Sequence, residues 1–385
     1  MAENVESALR KFVAPEFVFG VGARFLVARY ARNLGAQRVL IVSDPGVVSA
    51  GWCIQVIESL EEQQIPYSLY TQVSPNPRDF EVMTGSHFFK QEGCNLLVVV
   101  GGGSPMDCAK GIGIVATNDE NILDYEGIDQ VENPIPPLIC IPTTGGTSAD
   151  VSQFCIVTDV RHRNKISILS KAIVPDVSLI DPETLITMPA DLAAHTAFDA
   201  LTHGVEAYVS NANSPITDLL ALDGIHLITH GVESSIREPT NLAIRRDIMR
   251  GSLEVGLAFS NASLGIIHAM AHSLGGLLDL PHGLCNSILL PAGISFNYEA
   301  VPERFAAIAT AMGLKVRDST VKEGILDEIE RLRESTGIKQ RLGAVGVKPS
   351  DIAELAKKAF NDACLVTNPR APTVDEIENL YEELL

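Results

Sequence analysis

Aromatic residues are scarce in this chain, 5% with a single tryptophan, and no apolar run comes near the ~18 residues that span a bilayer, so no membrane segment is expected. Positive charge is also in short supply. Lys and Arg number 29 against 48 Asp and Glu, giving a net charge of −19. Nucleic acids and anionic membrane surfaces are held by clustered Lys and Arg, so neither is expected as a partner, and the acidity reads as solubility. The seven cysteines are odd in number and scattered, with no CxxC. That excludes a disulfide framework and implies reduced, mostly buried thiols of a cytosolic protein. The opening stretch MAENVESALRKF lacks the apolar core of a signal peptide, so the expected location is cytoplasmic. No internal repeat or low-complexity segment interrupts the chain.

With 385 residues, 46% hydrophobic and 20% charged, the chain suits two globular domains. The first half alternates strand-like and helix-like segments. RVLIVSD (38–44), NLLVVVGGGS (95–104), PLICIPTT (137–144) and VSLID (177–181) are short apolar runs rich in β-branched residues, and 48–63 and 78–91 are polar and helix-like. Such runs form parallel strands buried on both faces and covered by helices. Beyond Pro189 strand-like runs become rare, and Ala, Leu and Glu recur at helical spacing. The expected fold is an α/β nucleotide-binding domain with a mostly parallel sheet over 1–185, then an all-α domain over 186–385. The boundary falls near Asp181-Pro182 and Met188-Pro189, and the active site is expected in the cleft between the domains.

Three strand ends have the chemistry of a phosphate and ribose site. Gly101-Gly102-Gly103-Ser104 follows a strand and opens a helix, so the backbone can approach a phosphate at a helix N-terminus, although the run is not GxGxxG. Asp44 ends an earlier strand. It can accept from ribose hydroxyls and repel a 2′-phosphate, favouring NAD over NADP, or it can simply cap the next helix. Pro142-Thr143-Thr144-Gly145-Gly146-Thr147 is a third strand-end loop, rich in hydroxyls and glycine. Ligands of open α/β sheets bind along this edge.

The histidines cluster as well. Asp199 and His203 are four apart in a helical stretch and share one face, and so do His268 and His272. His282 follows in a Pro-His-Gly loop. Two helical faces and a loop can converge on a divalent first-row cation such as Fe²⁺ or Zn²⁺. Spacing alone admits both His268 and His272 as ligands. His226 and His230 have the same spacing but, like His87, His162 and His195, read as solvated or core residues.

Taken together, VLIVSDPGV, SPNP (74–77), VVVGGGSPMDCAKGIG, IPTTGGTSAD, LIDPETLITMP, FDALTHGVEAYVS, IIHAMAHSLGGLLDLPHG, LPAGISFNYE and TNPR (367–370) resemble the iron-containing (group III) alcohol dehydrogenase family, with its dehydroquinate-synthase-like fold, over nearly the whole chain. The resemblance implies hydride transfer between a small primary alcohol or its aldehyde and NAD at a metal centre. It implies Asp199, His203, His268 and His282 as ligands, with His272 beside the metal as a catalytic proton relay. It implies cofactor contacts at Asp44, Asn76, Gly101, Gly102, Gly103, Ser104, Asp107, Thr143, Thr144, Thr147 and Lys165. The metal implied is Fe²⁺, which Zn²⁺ or Ni²⁺ can replace on purification, and the assembly implied is a homodimer or higher homo-oligomer. One departure stands out. The family reads PTTAGTGSE where this chain reads PTTGGTSAD, so Ser148-Ala149-Asp150 falls beside the expected nicotinamide. In this it is similar to the branch associated with regulation of ethanol oxidation, which sets a weakly catalytic NAD- and metal-binding regulator beside the enzyme as an alternative. A glycerol-type polyol dehydrogenase is another.

Overall fold

The computed structural model of the protein describes residues 10–315 and 317–385. In the first half lie strands β1 (Glu16–Phe19), β2 (Val39–Val42), β3 (Tyr67–Tyr70), β4 (Leu96–Gly101), β5 (Gly127–Ile128), β6 (Leu138–Pro142), β7 (Phe154–Asp159), β8 (Asn164–Leu169) and β9 (Val177–Ile180). Helices α1 (Val27–Asn33), α2 (Pro45–Ser49), α3 (Trp52–Glu62), α4 (Asp79–Gln91) and α5 (Gly103–Asn118) are interleaved with them. Six strands form one sheet in the order β1-β9-β6-β4-β2-β3, with every pair parallel.

The four apolar runs expected as strands are β2, β4, β6 and β9, and every residue in them is buried. Alternation splits their side chains between two faces. Leu40, Val42, Leu97, Val99 and Leu138 pack on Val82 and Phe89 of α4 and on Met106 and Ile112 of α5. Val39, Ile41, Leu96, Val98, Val100 and Ile139 pack on Val27 of α1 and on Trp52, Val56 and Leu60 of α3. A continuous apolar run is therefore what a central strand of a doubly covered sheet requires.

The hairpin β7–β8 is antiparallel and joins β5 in a second, three-stranded sheet. It escapes the sequence reading because the charged run Arg161-His162-Arg163 breaks its pattern. That run is the turn itself, held by Asp159 Oδ1, which accepts from the Arg161 and His162 amides at 2.9 and 3.1 Å. The edge strands β1 and β3 are likewise too short and too exposed to stand out.

Among the described residues no strand follows Ile180. Helices α6 (Ala190–Val209), α7 (Pro215–Arg237), α8 (Leu242–Ala262), α9 (Ile266–Leu278), α10 (His282–Asn297), α11 (Pro302–Ala311), α12 (Val321–Ser335), α13 (Ile352–Phe360) and α14 (Val374–Glu383) make up the second half, around one large apolar core and a smaller one where Ile248, Met249 and Leu253 of α8 meet Leu185 and Met188. No single helix among the described residues is long and apolar enough to cross a membrane. All seven cysteines are free and buried.

Candidate metal and cofactor site

Strands β2, β4 and β6 are neighbours, so the loops after them lie side by side at one edge of the sheet. Gly102 is the N-cap residue of α5, and α5 has no side-chain cap. A Cβ on Gly102 would stand 3.0 Å from Thr144, and one on Gly103 would stand 2.9 Å from Thr147. The two loops touch because these residues have no side chain, and they leave the first amides of α5 turned to the edge. The Thr143 amide donates to the Gly101 carbonyl at 2.9 Å. Asp44 caps α2, its Oδ1 accepting from the Gly46 and Val47 amides at 2.8 and 3.0 Å. It does not line the cleft that holds the histidines.

A cleft of about 690 Å³, counting the part open to solvent, lies between the strand-end loops and the helices. From the first half it is lined by Asn76, Gly103, Ser104, Asp107, Thr147 and Lys165, and from the second by Asp199, His203, His268, His272 and His282. Eleven expected residues thus meet around one space, while Asp44, Gly101, Gly102, Thr143 and Thr144 stand outside its lining.

The hairpin is what delivers Lys165. On α9 a Cβ at Gly276 would be 2.9 Å from the Lys165 nitrogen, so Gly276 lets the helix sit directly on β8. Burial pushes the Lys165 ammonium down from its usual range. Its Nζ donates to Asn76 Oδ1 at 2.7 Å, and Asn76 Nδ2 donates to Asp279 Oδ1 at 2.9 Å. Asn76 has φ +55°, a left-handed conformation that Asn tolerates better than most residues. Burial raises Asp107 to about 7, against the pull of Lys110. Lys110 is itself buried and donates to the Ser152 and Phe154 carbonyls at 2.8 and 2.7 Å.

At the helical end, Asp199 Oδ1 lies 3.5 Å from His282 Nε2, 3.7 Å from His268 Nε2 and 3.9 Å from His203 Nε2. The donor atoms of Asp199, His268 and His282 lie within 4.8 Å of one another. Asp199 and His203 come from α6 and His268 from α9. His282 is not in a loop, as the sequence reading placed it, but is the first residue of α10, so three helices converge. The His203 ring lies between those of Phe259, 4.2 Å away, and His268, 4.6 Å away.

Burial opposes charge on every one of these groups, and the pairings decide which way each goes. His203 falls to about 3 and His282 goes well below the usual histidine range, both through burial. Burial also pushes His268 down, but Glu206 and Asp199 outweigh it and hold the ring at about 9. Burial would raise Asp199, yet the surrounding imidazoles keep it well below the usual carboxylate range. A carboxylate ringed by imidazole nitrogens is a donor set suited to a divalent first-row cation.

Three partners of these residues were not singled out from sequence. Glu206 accepts from His268 Nδ1 at 2.5 Å and from the Ile267 amide at 2.7 Å. Asp362 pairs with His272 Nδ1 at 2.8 Å. Asn286 Nδ2 donates to Asp199 Oδ1 at 2.7 Å. Helical spacing could have found two of them, since Glu206 is three residues past His203 and Asn286 four past His282. Asp362 is remote in sequence and has no local signal.

Of the departing segment, only Ala149 lines the cavity. Ser148 has φ +49° and turns to α8, where its Oγ donates to the Ser252 carbonyl at 2.7 Å. Asp150 Oδ2 accepts from Ser178 Oγ of β9 at 2.6 Å. Both polar side chains are buried in packing.

A two-part molecule with a glycine-lined sheet edge facing a histidine-rich helical wall has the form of a metal-dependent, nucleotide-linked oxidoreductase. The iron-containing alcohol dehydrogenase model matches residues 14–182, and the C-terminal model of the Fe-containing alcohol dehydrogenase family matches residues 193–385. The chain is 40% identical to the 1,3-propanediol dehydrogenase of Klebsiella pneumoniae, covering 95% of this chain and 96% of that one. It is 36% identical to the NAD-dependent methanol dehydrogenase of Bacillus methanolicus, covering 97% and 99% respectively. The crystal structure of a 1,3-propanediol oxidoreductase superposes with a TM-score of 0.94 at 38% identity, covering 98% of this chain and 100% of the other. The chain belongs to the iron-containing alcohol dehydrogenase family, and its activity is alcohol–aldehyde oxidoreduction.

Proposed function

We propose that the protein oxidises short primary alcohols, diols among them, to aldehydes with NAD, or runs the reverse reaction, at a single divalent metal, with Fe²⁺ as the native ion. The observation that carries this is the placement of Asp199 Oδ1 within 3.9 Å of three imidazole nitrogens on one wall of the cavity, opposite the glycine-bearing start of α5. The metal ligands are Asp199, His203, His268 and His282. The segment 1–185 is the cofactor-carrying domain and 186–385 the metal-carrying domain.

A cation in this donor set supplies Lewis-acid polarisation of an alcohol or carbonyl oxygen. NAD supplies the ring that accepts or returns hydride. The chain does the rest. Glu206 accepts a hydrogen bond from Nδ1–H of His268, which fixes the tautomer and leaves the Nε2 lone pair for the cation. Asp362 fixes His272 in the same way, so that its Nε2 can take a proton from the substrate hydroxyl and pass it on. Phe259, Leu264, Ile156 and Ala149 supply apolar wall that excludes water from the hydride path. Gly101–Ser104, Thr143, Thr144 and Thr147 hold the pyrophosphate. Asn76, Asp107 and Lys165 hold the nicotinamide half of the cofactor, and Asp44 the adenosine ribose.

The enzyme works in the cytoplasm as a homo-oligomer. Seven unpaired, buried cysteines support the first point. The second is supported by the sheet-edge strand β1, where Phe17 is 42% exposed, with Val21 at 61% and Phe25 at 52% close by. The test is NADH formation from primary alcohols of one to four carbons and from 1,3-propanediol. It uses anaerobically prepared protein before and after Fe²⁺ is added, with NADP in parallel. Metal-dependent turnover with NAD is expected. Tight metal and NAD binding with no turnover on any alcohol would move the assignment to a regulatory protein.

A further inference from the structure

Asn286 lies on α10 one turn beyond His282 and is wholly buried. Its Nδ2 is 2.7 Å from Asp199 Oδ1, 3.1 Å from His268 Nε2 and 3.3 Å from His282 Nε2. Its Oδ1 is buried with no hydrogen-bond partner among the described residues. One amide nitrogen, with two hydrogens to give, thus faces three of the groups assigned above as metal ligands, and its carbonyl goes unpaired.

This arrangement has a chemical consequence. His282 accepts from this amide at Nε2, where a neutral ring offers a single lone pair. One lone pair serves an N–H group or a cation, not both. The nitrogen end of the amide therefore competes with a metal for the same electron pairs and the same space. The preference of the amide also inverts with charge. Two acceptors with no cation between them, Asp199 Oδ1 and His282 Nε2, favour the nitrogen end, because the carbonyl end would set lone pair against lone pair. A dication among the same groups repels the N–H hydrogens and attracts the carbonyl oxygen.

We propose that Asn286 is the placeholder of the metal centre: its amide nitrogen holds Asp199 and His282 together in the metal-free protein and withdraws from them when the cation binds. This role rests on the metal reading above. It is also separate from it, since the same four ligands could bind metal with Asn286 as an inert neighbour. The placeholder keeps two polar groups satisfied in a buried site, and it sets the stability of the metal-free protein against its affinity for metal.

The test is a Co²⁺ titration followed by visible absorption, with calorimetric melting of the chelator-treated and Co²⁺-loaded forms, on the full chain and on Asn286→Ala and Asn286→Asp. With Asn286→Ala the metal-free form should melt several degrees lower, the loaded form close to the parent, and Co²⁺, freed from a competing hydrogen bond, should bind about tenfold more tightly. Asn286→Asp keeps the volume but replaces the donor with a carboxylate. It should depress metal-free melting further, tighten Co²⁺ binding again and change the visible bands. If Asn286→Ala does not fold, the Asp variant decides alone. Unchanged metal-free melting, or weaker Co²⁺ binding in both variants, overturns the placeholder role while the metal reading stands. Failure of the parent protein to take up Co²⁺ overturns both.

Discussion

A Cβ placed on Gly283 would stand 2.1 Å from the carbonyl oxygen of His195, so α10 begins in direct backbone contact with α6. That approach sets His282, the residue before Gly283, against Asp199, one turn beyond His195 on α6. The smallest side chain at 283 must push the helices apart, because the obstacle is backbone and cannot rotate away. Gly283→Ala is expected to destabilise the protein by ~1–3 kcal/mol, the usual range for overpacking, and to lower bound metal per chain. Melting and elemental analysis check this. A substituted protein with full metal content would show that the close approach does not position His282.

One substitution separates the cap made by Asp44 from the cofactor contact proposed for it. Its Oδ1 caps α2, and its charge is assigned above to the ribose hydroxyls. Serine is as good an N-cap as aspartate but carries no charge. Asp44→Ser should therefore leave the melting temperature near that of the parent. It should raise KM for NAD and improve the use of NADP, both read from initial rates with each cofactor. An unchanged ratio of NAD to NADP efficiency would remove Asp44 from the cofactor contacts.

The ring of His268 is held at about 9, while His203 at about 3 and His282 below the usual range are neutral at pH 7. A cation needs the neutral imidazole, so its binding at pH 7 should release about one proton per chain, all of it from His268. Apparent metal affinity should rise with pH until about 9 and then level off. The stability term runs the other way. A histidine raised on folding stabilises the metal-free form fully below its unfolded value of about 6.5, and that contribution is lost as pH climbs through about 9. Calorimetric titration of metal in buffers of different ionisation enthalpy counts the proton. A count near zero at pH 7 would mean that His268 is already neutral there.

The central strands and the helical second half were legible because each is a local pattern. A fully apolar run such as Leu96–Val100 has few places to go but the middle of a covered sheet. The grouping of the residues proposed to hold the metal was legible for the same reason. Asp199 and His203 share one helical face, and the grouping of His268, His272 and His282 needs little long-range information. The hairpin β7–β8 was not legible, because its charged turn hides a short pattern and its partners are decided by tertiary packing. Asp362 was also out of reach. It meets His272 only because the segment after α13 folds back over α9, and nothing near residue 362 announces that contact. The segment Ser148-Ala149-Asp150 was legible as a departure from the family pattern, but not in its direction. Only the backbone turn at Ser148 reveals that two of its three side chains face α8 and β9 instead of the cavity.

The most direct test of the account is to measure metal per chain and NAD-linked alcohol oxidation together on the parent protein, His268→Ala and His272→Ala, each prepared without oxygen and reloaded with Fe²⁺. The two histidines are four apart on one face of α9, with metal binding proposed for His268 and proton transfer for His272. The parent and His272→Ala should each hold about one metal ion, with His272→Ala slowed about a hundredfold or more by loss of its proton carrier. His268→Ala should hold no metal and show no turnover. A His268→Ala protein that is metal-replete and fully active would contradict the assignment of the metal centre and, with it, the mechanism.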